Sequence, residues 1–129
     1  MTAWTVRPAI PTFGSGERRV ARAMRAHPEM VAGNRRDVTA LMRAVPGLIA
    51  NDGFEAVQVA ALPDGTAIGV KIADGSDRAR LPVTVAALAL AGVAPDLLAP
   101  FGAAGTARGL AVAGELRDVL STTTDKEQL

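Results

Sequence analysis

The chain has 129 residues, 49% of them hydrophobic, and a formal net charge of +1 from 14 basic and 13 acidic side chains. That length makes one domain or part of one, able to bury about 65–70% of its unfolded surface. The apolar content argues against general disorder, and the charge balance leaves no electrostatic footprint for nucleic acid.

With no cysteine and a single histidine, His27, disulfides and cysteine metal sites are excluded. The same count argues against a histidine-built zinc centre and a Ser-His-Asp triad, so no metal or cofactor is expected. Trp4, Phe13, Phe54 and Phe101 are the only aromatic residues. The core must therefore be aliphatic, which favours close-packed helices and a thin sheet over an aromatic-rich β-sandwich.

In chain order, residues 1–14 read as an extended segment anchored by Trp4, Ile10 and Phe13. Ser15 is a candidate N-cap for a helix to about His27, with Val20 and Met24 on one stripe and Arg18, Arg22 and Arg25 on the other side. Pro28 ends or kinks that helix, and 27–30 read as a turn. A second helix over about 35–45 carries Val38, Leu41, Met42 and Val45 at i, i+3, i+4 and i+7, capped through Asn34 and Asp37.

A short strand at Leu48–Ala50 leads to a turn signal, Asn51-Asp52-Gly53. A longer strand at Phe54–Leu62 has Val57, Val59 and Ala61 on one face and Gln58 and Ala60 on the other. Pro63-Asp64-Gly65-Thr66 joins it to a partner at Ala67–Ala73, with Ile68, Val70 and Ile72 on one face. A helix over about 77–92 has Ser76-Asp77 as its cap, Pro82 in its first turns, apolar residues nearly all round and Gly92 at its end.

Pro95–Pro100 suggests one helical turn, 110–113 a strand, and 119–129 a disordered tail. The order predicts an α+β domain over 15–118 with a small antiparallel sheet. No signal-peptide core occurs, and the longest apolar run, Val83–Ala91, is too short to span a bilayer, so a cytoplasmic location is expected.

The run from Arg19 to Arg80 resembles the C-terminal part of the bacterial L-asparaginase II family, the Rhizobium-type, serine-dependent group related in fold to serine β-lactamases and glutaminases. The elements that carry the resemblance are Met24, His27-Pro28, Val31-Ala32-Gly33, Asp37, Leu41-Met42, a turn at 51–56 and Lys71-Ile72-x-Asp74-Gly75. The resemblance implies a β-lactamase-like fold and hydrolysis of the side-chain amide of asparagine by a serine nucleophile, with a lysine of a Ser-x-x-Lys motif as base.

These 129 residues contain no Ser-x-x-Lys: the serines are Ser15, Ser76 and Ser121, and the lysines are Lys71 and Lys126. In the 51–56 turn, Asn51 stands where the family has lysine, and Phe54-Glu55-Ala56 where it has Ala-Glu-Gly. The sequence reads as a truncated member, incomplete as a catalyst by itself.

Lys71 is the catalytic candidate, as a cationic contact on the sheet or else as a lysine blunting a strand edge. Asn51, Asp52 and Glu55 are the substrate-binding candidates, with a plain Asx turn and a solvated carboxylate as the alternatives. His27 before Pro28 is a possible base or a helix-end residue. Two functions compete. One is an L-asparaginase II-like amidohydrolase acting on a small amide with a partner that supplies the Ser-x-x-Lys half. The other is a non-catalytic module, homodimeric or binding a partner or small ligand, whose dimer would cover apolar surface that the missing half leaves bare.

Overall fold

The computed structural model describes residues 2–6 and 14–102. The expected anchors Ile10 and Phe13, the strand at 110–113 and the tail at 119–129 lie outside the described residues. Within them the chain runs β1 (Thr2–Val6), α1 (Ser15–Ala26), α2 (Pro28–Ala32), α3 (Asp37–Ala44), β2 (Ile49–Gly53), β3 (Val57–Ala61), β4 (Ala67–Lys71), a 3-10 turn (Asp77–Ala79) running into α4 (Arg80–Leu90), and α5 (Pro95–Leu98) followed by a second 3-10 turn. The four strands form one antiparallel sheet in the order β1-β4-β3-β2, so the domain is α+β.

The hairpin of β3 and β4 is the centre of the sheet. Its connection closes where Leu62 N–H donates to Thr66 O at 2.8 Å and Thr66 N–H to Asp64 Oδ1 at 2.8 Å, with Gly65 at φ +89°. Under this turn lies Gly47, at φ +77°, where a Cβ would stand 2.5 Å from Pro63 Cγ. That contact requires glycine on both conformational and steric grounds.

The inner face of the sheet buries Ala50, Ala60, Ile68 and Val70, with Ile72 just beyond β4. Against it pack α4, through Val83, Val85, Ala87 and Leu88, and α3, through Val38, Leu41 and Met42, with Val45 just past its end. The alanines of α4 let helix and sheet approach closely. That helix ends in a Schellman motif at Gly92, with Val93 N–H on Leu88 O at 3.0 Å and Gly92 N–H on Ala89 O at 3.1 Å.

Several local expectations change. Residues 28–32 form a short helix, not a turn, because Pro28 sits at its first position where no N–H is needed. Asn51-Asp52-Gly53 is strand, and the reversal falls on 54–56 instead. On β3 the alternation holds, and Gln58 and Ala60 are the pair that points to the core, with Val59 52% exposed. Helix α1 is as long as expected, yet none of its residues is buried. Neither Ser15 nor Asn34 is a cap: Gly14 and Arg36 hold those positions.

Candidate functional site

At the end of the sheet where β2 turns into β3, the N-termini of α3 and α4 converge on the strands. Asp52 and Gln58 are cross-strand partners facing inward. Arg80, at the start of α4, lies among them at 3% exposure. Its guanidinium uses the whole fork. Nη1 donates to Gln58 Oε1 at 2.5 Å, Nη2 to Asp37 Oδ2 at 2.8 Å, and Nε to Asp77 Oδ1 at 2.8 Å; Asp52 Oδ2 stands 3.7 Å away. Asp52 also takes Arg36 as a direct charged partner.

This arrangement follows from local chemistry. Asp37 and Asp77 occupy first helical turns, where the dipole favours negative charge. A planar fork with five donors is the side chain that can satisfy three elements at once. Gln58 is buried because its amide is used in full: Oε1 accepts from Arg80, and Nε2 donates to Asn51 O at 2.9 Å and to Val59 O at 3.2 Å. Among the described residues no buried side-chain polar atom lacks a partner.

The electrostatics match the geometry. Burial works against the charge on Arg80, but the hydrogen bond with Asp77 and the carboxylates of Asp37, Asp77 and Asp52 outweigh it and raise the pKa. The hydrogen bond with Arg80 holds the Asp77 carboxyl below its ordinary value, aided by the charges of Arg80 and Arg36 and opposed by partial desolvation.

Above this network opens a cleft of about 430 Å³ lined by Arg36, Asp52, Gly53, Phe54, Glu55, Ala56, Gly75 and Asp77. Its wall is the turn 54–56, with Glu55 at φ +58° and Ala56 at φ +54°. Lys71 holds that turn from beneath. Its Nζ donates to Glu55 O at 2.5 Å and to Ile72 O at 3.2 Å, and lies 3.6 Å from Glu55 Oε2.

The structure thus brings Asp52 and Glu55 to the cleft and sets Lys71 under its wall. Lys71 is on an interior strand, between β1 and β3. Asn51 points to the opposite face, exposed, with Oδ1 accepting from Asp52 N–H at 2.9 Å. His27 lies apart from the cleft, exposed, with Nδ1 3.6 Å from Glu29 Oε1. Ser76 is next to the cleft-lining Asp77, and its N–H donates to Asp74 Oδ1 at 2.9 Å.

Sequence reasoning missed Arg36, Gln58 and Arg80 as site residues. The available signal was one arginine immediately before the uncharged run Leu81–Leu90. Among the described residues no cluster of three His, Asp or Glu side chains is placed to hold a metal ion, and no helix is long and apolar enough to cross a membrane.

Fold and site define an α+β domain with a charged cleft where two helix N-termini meet the end of an antiparallel sheet. The sequence model of the L-asparaginase II family matches residues 5–117, and the chain belongs to that family. Its function is, at the level of the family, L-asparaginase II-like. A search of curated proteins finds no match.

Proposed function

We propose that the protein binds a small α-amino acid amide, L-asparagine in the first instance, in the cleft above Arg80. Hydrolysis of the side-chain amide then needs a serine and a lysine from outside these 129 residues, as in the serine-dependent, Rhizobium-type group with its β-lactamase-like fold. The observation that carries the binding half is the pairing of signs on the cleft wall. Arg36 offers a guanidinium for the ligand carboxylate, and Asp77 and Glu55 offer carboxylates for its ammonium group. The observation that carries the second half is the sequence, which has no Ser-x-x-Lys. On this reading Asp52 orients Arg36, and Lys71 shapes the wall of the cleft.

A second reading is favoured by one feature. The outer face of the sheet forms an apolar concavity lined by Ile49, Val59, Ala61, Ala67 and Met24, with Val59 half exposed. A non-catalytic homodimer would cover it.

Titration calorimetry with L-asparagine, ammonia release and native mass on one sample separate these readings. Binding without ammonia release supports the first, and Arg36→Ala then weakens binding about tenfold. Turnover lost in Ser76→Ala sinks the claim that the catalytic groups lie elsewhere. A dimer that does not bind asparagine replaces the first reading with the second.

A further inference from the structure

Phe54 is the one large apolar side chain on the cleft wall, and it is 98% exposed. Nothing in the core needs it there. The backbone that places it is unfavourable: Glu55 and Ala56 are consecutive non-glycine residues in the left-handed region. Such conformations persist only where the surroundings fix them, and they concentrate at ligand sites.

Here the surroundings are explicit. Lys71 Nζ binds Glu55 O, Ile72 N–H donates to Ala56 O at 3.2 Å, and Ala56 itself is buried. Gly75 lies beside the turn, where a Cβ on it would make an ordinary van der Waals contact with Glu55 Cα at 3.6 Å. The backbone of the turn that follows Phe54 is therefore held, and Phe54 itself lines the cleft with its side chain free to meet a ligand. The cleft, of about 430 Å³, also exceeds what a free amino acid fills.

We infer that Phe54 makes the cleft selective for amides carrying an apolar or aromatic group on the amide nitrogen, with Lys71 as the positioning residue that holds the backbone of the turn carrying it. The inference rests on the amino acid amide reading above. It adds a ligand class: an α-amino acid head between Arg36 and Asp77, and an aryl or alkyl amide tail against Phe54.

The test is calorimetry with L-asparagine and with L-aspartic acid β-anilide, the same head bearing a phenyl ring on its amide. The anilide binds the wild-type chain about tenfold tighter. Phe54→Ala, at a fully exposed position that does not threaten folding, removes that preference by weakening anilide binding about tenfold more than asparagine binding. Lys71→Met reduces the preference, and Lys71→Arg restores it. Equal affinity for the two ligands, or equal weakening of both by Phe54→Ala, overturns the inference and leaves the amino acid amide reading standing. If neither ligand binds the wild-type chain, both fall.

Discussion

Arg80 brings a full charge into the core, and its neighbours decide what its removal costs. Asp37, Asp52 and Gln58 would each lose a partner in a place water reaches poorly. Breaking a buried pair by deleting one member costs about 3–5 kcal/mol. Arg80→Ala is accordingly expected to lower the unfolding free energy by about that amount in urea titration. Arg80→Lys keeps the charge but has no fork to span three elements, so it should recover only part of the loss. A variant within about 0.5 kcal/mol of wild type would show that the network is incidental to stability.

At the level of elements, the 54–56 turn shows where strain sits and how it can be relieved. A non-glycine residue in the left-handed region costs about 1–2 kcal/mol. Glycine carries about 0.5–1 kcal/mol of extra chain entropy. Glu55→Gly should therefore leave stability unchanged or raise it by up to about 1 kcal/mol, since the Lys71 bond to its backbone carbonyl survives. A clear loss in the urea midpoint would mean that the exposed Glu55–Lys71 pair matters more than exposed pairs usually do.

The same turn marks the boundary of what the sequence could disclose. The β3–β4 hairpin was legible because alternation and Pro63-Asp64-Gly65 are local signals. The first turn was misplaced because Asn51-Asp52-Gly53 carries turn chemistry and Phe54-Glu55-Ala56 does not. Which face of β3 turns to the core was not legible, because Gln58 is held inward by Arg80, 22 residues further on. No local pattern announces a partner at that distance. Asp52 and Glu55 were singled out as substrate-binding candidates through their place in the family-like turn, and both line the cleft. Arg36 was missed because an arginine beside another at the start of an expected helix looks like solvated charge.

For the molecule as a whole, the charges around the cleft set a pH dependence. The Asp77 carboxyl titrates lower in the folded chain than in the unfolded one, where its value is about 3.9. Its contribution to stability is therefore present above that range and is lost as pH falls through the lowered folded value. Glu29 acts in the same direction; a backbone hydrogen bond is the main cause, aided by Arg43 and the His27 charge and opposed by desolvation. Urea midpoints at neutral pH and near pH 3 should differ less for Asp77→Asn than for wild type. An equal difference in both would remove Asp77 from the acid response.

The strand order β1-β4-β3-β2 has one more consequence, for the timing of synthesis. Thr2 pairs with Lys71, so β1 leaves the ribosome well before its hydrogen-bonding partner at the end of the hairpin. At translation speeds of about 5–20 residues per second, β1 waits about 3–14 seconds before β4 exists. During that interval its edge is open to other nascent chains. The domain closes its sheet only after the rest of the sheet has been synthesised.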